Sequence, residues 1–408
     1  MRYFHYILTI ILALIISFIL SSDKKNIKIK IIIIGLVFQF LLAIAIFKVP
    51  LINTIFSGFN NILDVVVQST NYATTLVFGK LANPPEKSGL GYILAFQGFP
   101  ILITISALSS VLTHWKILPL IINFFSFIFK KMLNINGTLG FAVSVNIFSG
   151  MSETPLIINS FLKKLTHSEI FSLIVCGTST ISGSVMALYS TILKPVTPNP
   201  LGHIIASVLI STPGSLVISR IMIPETLNTP IKKYIDQSPS TKNTLDAVYI
   251  GIINGGKAII TILVMLIGFI SLIDIINQLL SALNPTKYSV TMQVVLGWIM
   301  YPVAWVIGIP VNESATIGSL LAMKIILNEI IAFQELANIS NVLSYKTNIM
   351  AIYALCSFAN LGSIGVIIGV YSALIPERKA EIMKLGFKAV LAGILVNLST
   401  TSIVGSLI

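Results

Sequence analysis

Runs of apolar residues long enough to cross a bilayer recur along this chain, and no other feature constrains its fold as strongly. They lie at about 4 to 21, 31 to 49, 89 to 113, 168 to 193, 201 to 223, 248 to 281, 348 to 375 and 386 to 407. Each is near or above the roughly 20 residues that a helix needs to cover a hydrocarbon core. A backbone in lipid must satisfy its own hydrogen bonds, so about eight spans imply about eight helices and an all-α membrane protein. Composition agrees: 55% of residues are hydrophobic and 10% are charged. The mean hydropathy of +0.94 lies outside the range of soluble globular chains.

The first run is preceded by Arg2 alone, lacks a small-residue cleavage site and is followed by a lysine-rich turn and another span. It therefore reads as a retained helix and not as a signal peptide. The formal charge of +12 does not point to nucleic acid, because the basic residues sit in short loops between apolar runs. They set topology instead. Lys24, Lys25, Lys28 and Lys30 follow the first span; Lys116, Lys130 and Lys131 follow the third; Lys232, Lys233 and Lys242 follow the fifth; Arg378, Lys379, Lys384 and Lys388 precede the eighth. The positive-inside rule makes all four connections cytoplasmic and puts both termini outside, periplasmic for a bacterial inner-membrane protein. Cys176 and Cys356, the only cysteines, both lie in apolar segments, which excludes a disulfide framework or a cysteine metal cluster.

Between the second and third spans, Leu51, Ile55, Phe59, Ile62, Leu63 and Val66 recur at helical spacing, predicting an amphipathic helix on the outer surface. The Pro-Pro pair in 83 to 88 ends it in a loop. Two further regions, about 134 to 166 and 312 to 345, are apolar but broken by polar residues, Gly150-Met151-Ser152-Glu153 in the first and Asn328-Glu329 in the second. Their arms are too short to cross a bilayer and suit re-entrant hairpins. The topology brings the first hairpin in from the cytoplasm and the second from outside. Each is followed by a span interrupted by small and polar residues, at 177 to 184 and 357 to 363, and then by an unbroken span. That is the pattern of an inverted repeat, with interrupted segments at matching places marking a transport site near the midplane.

Glu153 and Glu329 carry most of the information, because a charge at the bilayer centre costs about 2.5 to 3.5 kcal/mol on insertion scales and is retained for a reason. Asn360 and Ser363, a turn apart, are placed to hydrogen-bond a polyhydroxyl ligand together with Glu329. Asn146 and Thr180 offer the hard oxygens a small cation needs; the same residue types also serve as helix-to-helix glue. The histidines are scattered near predicted membrane edges, and Trp115, Trp298 and Trp305 read as interfacial belt residues. Asn312 and Glu313, at the mouth of the second hairpin, read as helix caps.

With these residues in hand, the chain resembles the concentrative nucleoside transporter family over nearly its whole length. Ala322-Met323-Lys324-Ile325-Ile326-Leu327-Asn328-Glu329-Ile330-Ile331-Ala332-Phe333 is similar to the family signature, departing conservatively at Ile330 and Ile331. Asn146 to Leu156 resembles the first-hairpin motif, in which many members have Gln-Thr-Glu-Ala-Pro where this chain has Met151-Ser152-Glu153-Thr154-Pro155. Ala354 to Ser363 is similar to the seventh-span motif. The resemblance implies a homotrimer with a scaffold at its axis and a mobile part carrying both hairpins. It implies ribose contacts from Glu329, Asn360 and Ser363, base-side contacts from Met151, Ser152, Glu153, Val185 and Phe358, and a sodium site near Asn146, Ser149, Thr180 and Ile181, the second and fourth through backbone carbonyls. Members use sodium or protons, and both ions stay open.

On this reading 1–115 form scaffold spans with the outer helix, 116–223 the first repeat, 224–286 a cytoplasmic loop and the sixth span, and 287–408 the second repeat. The expected function is secondary active import of nucleosides with a cation, by an elevator-like movement and without any cofactor. A carrier of another small polar solute is the rival; a carboxylate substrate would call for a cationic clamp, and Lys324 is the only lysine near a hairpin tip. An intramembrane enzyme would need a nucleophile with a base, or a metal set, and neither spacing is present.

Overall fold

The computed structural model of the protein describes residues 2–83, 89–226, 241–283 and 291–408, and among these the regular structure is helical, with no strand. Most of the loop expected at 83 to 88, Lys232 and Lys233, and the boundary set at 286 and 287 lie outside the described residues.

Three apolar helices open the chain: α1 (Arg2–Ile19), α2 (Ile29–Lys48) and α3 (Pro50–Phe78). A π-helical turn at Leu94–Gly98 leads into α4 (Ile101–His114). One succession of elements then occurs twice. In the first half it runs through α5 (Ile117–Leu133), the hairpin α6 (Gly137–Ile157), the broken span α7 (His167–Ser179) and α8 (Gly183–Ile192), and the unbroken α9 (Pro200–Met222). After α10 (Thr244–Leu283), the second half runs through α11 (Met292–Val306), the hairpin α12 (Val311–Ile326) and α13 (Glu329–Ile339), the broken span α14 (Tyr345–Leu355) and α15 (Leu361–Leu374), and the unbroken α16 (Lys379–Leu407).

The eight expected spans thus correspond to α1, α2, the π-turn with α4, α7 with α8, α9, α10, α14 with α15, and α16. The first broken span, α9, α14 and α16 form the buried centre, while α3 and α10 are mostly exposed. The hairpins are opposed, and α16 measures the opposition. Arg378, just before α16, donates to the Leu165 carbonyl at the base of the first hairpin at 2.7 Å. At the far end, Lys346 at the base of the second hairpin donates to the Ile408 carbonyl at 2.9 Å. The 29 residues of α16 place these bases about 44 Å apart along the helix at 1.5 Å per residue.

Capping residues explain where helices restart at membrane depth, where water cannot satisfy free amide groups. Asn328 Oδ1 accepts the Ile331 N–H at 3.1 Å to start α13, and Asn360 Oδ1 accepts the Ser363 N–H at 2.8 Å to start α15. Glu313 acts as a cap in trans: its carboxylate accepts from the Ser344 N–H at 2.8 Å, the Ser344 hydroxyl at 3.0 Å and the Thr347 hydroxyl, tying the mouth of the second hairpin to the start of α14.

Two local expectations change. The outer helix ends at Phe78, before the expected loop, but of its apolar stripe Leu51, Ile55, Phe59 and Ile62 are exposed, while Leu63 faces inward together with Phe56, Thr70 and Thr74. The inward face carries two threonines, so a hydrophobicity pattern alone does not select it. The first hairpin does not turn over a four-residue stretch. Its backbone leaves the helical region only at Gly150 (φ 75°, ψ −177°), and Glu153 lies one turn into the second arm.

Candidate functional site

Glu329 is the first residue of α13, so its carboxylate sits at the positive end of a helix dipole. It is 3% exposed. The Tyr189 hydroxyl of α8 donates to its Oε1 at 2.6 Å, and Asn360 Nδ2 donates to its Oε2 at 2.9 Å. Asn360 Oδ1 accepts from both the N–H (2.8 Å) and the hydroxyl (3.0 Å) of Ser363. The Tyr189 ring also packs on Phe333 of α13 at 5.0 Å between centroids. Three elements therefore converge on one buried carboxylate: the second hairpin tip, the second half of the first broken span, and the break of the second.

The two broken spans meet directly, as the Phe358 N–H donates to the Thr180 carbonyl at 3.2 Å. Val185, buried, lies one turn before Tyr189 on the same face of α8. Phe358 is half-buried. Close packing holds the first hairpin tip against the first break. A Cβ on Gly150 would lie 2.5 Å from the Ser182 Cβ, and one on Gly183 would lie 2.7 Å from the Phe148 carbonyl. Only glycine allows both the positive φ at 150 and that approach. Met151 is half-buried, with its Cβ against Gly177, whereas Ser152 and Glu153 are exposed and Glu153 forms no salt bridge among the described residues.

Asn146, on the first arm of this hairpin, is 1% exposed. Its Nδ2 donates to Thr180 Oγ1 at 2.9 Å and to Cys176 Sγ at 3.4 Å. Its Oδ1 is buried and has no hydrogen-bond partner among the described residues. A buried amide oxygen without a donor is costly, and a small hard cation is the ligand such an oxygen fits. Thr180 and Ile181 are fully buried beside it, and Ser149 is half-buried at the last position before the turn.

The structure therefore joins Glu329, Asn360 and Ser363 by hydrogen bonds, and Asn146 with Thr180. It sets Met151 and the first break in contact, and leaves Ser152 and Glu153 outward on the second arm. Two residues that sequence reasoning passed over belong here. Tyr189 is a phenol inside an apolar half-helix, and Asn397 is the one asparagine within the apolar run of α16. A buried polar group in such a segment is the signal that finds both.

Opposed hairpins and broken helices crossing at a buried polar centre define a polytopic membrane transporter of inverted-repeat construction. Family models agree with that class: "Na+ dependent nucleoside transporter N-terminus" matches residues 8–81, "Nucleoside recognition" matches 95–196 and "Na+ dependent nucleoside transporter C-terminus" matches 203–405. An uncharacterized transporter, YutK of Bacillus subtilis, is 32% identical over 399 residues, covering 96% of both chains. The nucleoside permease NupC of Helicobacter pylori is 30% identical over 401 residues, covering 96% of this chain and 94% of that one. Among solved structures, CNTnw in an inward-facing substrate-bound state superposes with a TM-score of 0.90 at 29% identity, over 100% of this chain and 98% of that one. The chain belongs to the concentrative nucleoside transporter family, whose members are transporters and not enzymes.

Proposed function

We propose that this protein is a secondary active symporter that imports nucleosides together with sodium. The observation that carries the reading is the Glu329 carboxylate, held by Tyr189 and Asn360 where the second hairpin meets both broken spans. A carboxylate and an amide side by side can together accept from and donate to the paired hydroxyls of a ribose. Ser363 supports the amide, and Val185, Phe358 and Met151 supply apolar surface for a base, with Ser152 and Glu153 on the open side of the first hairpin tip. Sodium is the cation of choice because Asn146 Oδ1, unpaired among the described residues, shares the first hairpin and first break with Ser149, Thr180 and Ile181, whose neutral oxygens can ligate a cation but cannot take up a proton at physiological pH. A proton riding on the buried Glu329 carboxylate is the alternative.

Movement is elevator-like on this proposal, since the hairpins and broken spans hold the polar centre among themselves while α3 and α10 expose apolar faces outward. Those faces suit lipid and the neighbouring copies of a homotrimer. The lysine clusters and the Arg378 end of α16 lie toward the cytoplasm of a bacterial inner membrane, with both termini periplasmic.

Equilibrium binding of radiolabelled uridine and adenosine to purified protein, in sodium chloride and in choline chloride, tests the proposal. Sodium-dependent binding of either nucleoside, lost in Glu329→Gln, is the expected result. Binding of neither nucleoside in either salt contradicts it.

A further inference from the structure

The first arms of the two hairpins carry different polar groups at matching places. Asn146 lies one helical turn before the break at Gly150 and reaches the first broken span at Thr180. Lys324 lies one turn before the break at Asn328 and reaches the second broken span at Ala354, next to the last residue of α14. Lys324 is 2% exposed. Its ammonium donates to the Ala354 carbonyl at 2.9 Å and to Asn397 Oδ1 at 3.1 Å.

A helix-end carbonyl and an amide oxygen are the ligands a small cation would take at such a place. The two places are also connected. Asn397 Nδ2 donates to the Ser179 carbonyl at 3.3 Å, immediately before Thr180. One asparagine thus touches the ammonium in the second half and the backbone of the first break. Lys324 and Glu329 stand on the two arms of the same hairpin, either side of its break, where opposite charges offset part of each other's burial cost. A small cavity adjoins the ammonium, walled by Met300, Val303, Leu321, Ile325, Ile394 and Leu398.

We propose that Lys324 is a tethered cation: its ammonium holds, in the second half, the place that the coupling cation takes beside Asn146 in the first. The inference rests on the cation reading of the Asn146 site. The chain then supplies one of two symmetry-related cations covalently and takes only the other from solution. Lys324 acts on the nucleoside through Glu329, as a positioning residue, and its removal opens a second cation site between Ala354 and Asn397.

Lys324→Asn, which gives the second half the residue type of the first, tests this in purified protein. Uridine binding is titrated with sodium chloride at constant ionic strength, with choline as the replacement cation, and thermal unfolding is followed in the same series. Wild type is expected to depend on sodium with a Hill coefficient of about 1 and the variant with one approaching about 2, the number of sites setting the limit. The variant's Tm should fall in choline and recover in sodium, a response that loss of packing alone would not produce. A variant that stays first order in sodium overturns the tethered cation while leaving the proposed function standing. So does a variant that cannot be recovered at any sodium concentration, because a free cation then fails to replace the ammonium. Wild type that binds uridine without any sodium dependence removes the cation reading and this inference together.

Discussion

Asn360 donates its amide N–H to Glu329 and accepts the Ser363 N–H of the first turn of α15 on its amide oxygen, so one side chain fastens the second hairpin tip to the restart of a broken helix. The two jobs separate on substitution. In Asn360→Ser the hydroxyl still caps α15, since serine caps as well as asparagine, but it is too short to reach the carboxylate. Uptake should drop about tenfold or more with thermal stability near wild type, given that hydrogen bonds to charged groups contribute roughly 1.5 to 3 kcal/mol. Asn360→Ala should lose stability as well, by about 0.5 to 2 kcal/mol. Uridine transport and unfolding curves of the two variants check this, and full uptake in Asn360→Ser would remove the Asn360 to Glu329 bond from function.

Tyr189 and Glu329 form a second separable pair. Tyr189→Phe keeps the ring on Phe333 and removes only the hydroxyl, so uridine affinity should weaken about tenfold by the same range for a charged hydrogen bond. Glu329→Gln should cut uptake by an order of magnitude or more. The double variant should be little worse than Glu329→Gln alone, because residues in one network do not add. Additive losses in binding titrations would show that the phenol works elsewhere.

Much of this architecture was legible in the sequence because lipid leaves few alternatives: apolar length marks spans, and an arm too short to cross marks a hairpin. Both hairpins and both broken spans follow from that reading; the grouping of Glu329 with Asn360 and Ser363 comes from the polar residues at the breaks and from the family resemblance. The inequivalence of the two glutamates did not. Gly150 is the only turn residue of the first hairpin, so Glu153 falls one turn into the second arm and is exposed, whereas Glu329 starts a helix and is buried. Periodicity could not say which residue of a polar stretch takes the positive φ. Contacts between distant segments leave no mark in a local pattern, and Tyr189 lies 140 residues from Glu329 in sequence.

For Glu153 the expected signature is loss of transport without loss of fold. An exposed carboxylate outside any salt bridge among the described residues contributes within about 0.5 kcal/mol to stability, so Glu153→Gln should unfold like wild type and keep the wild-type size-exclusion profile. Its uptake should nonetheless fall by an order of magnitude or more. Size-exclusion profiles, unfolding curves and uridine uptake of the variant check both halves, and wild-type uptake would exclude Glu153 from the site.

Met151 bears on which base is accepted. A thioether offers polarizable apolar surface, whereas glutamine would offer a donor and an acceptor to the polar edge of a base. Discrimination by shape alone is worth about 1 to 3 kcal/mol, so purine and pyrimidine nucleosides should compete within about a hundred-fold on wild type. Met151→Gln should shift their relative affinities. Competition among uridine, cytidine, adenosine and inosine is the measurement; unchanged ratios would mean that Met151 serves only its packing against Gly177.

Radiolabelled uridine uptake into proteoliposomes under imposed gradients shows whether the buried polar crossing couples a nucleoside to a cation. An inward sodium gradient should drive accumulation above equilibrium, collapsing when the gradient is dissipated and nearly absent in Glu329→Gln. Accumulation that follows an imposed pH gradient and ignores sodium would contradict the sodium assignment, and uptake that only equilibrates under every gradient would contradict coupling itself.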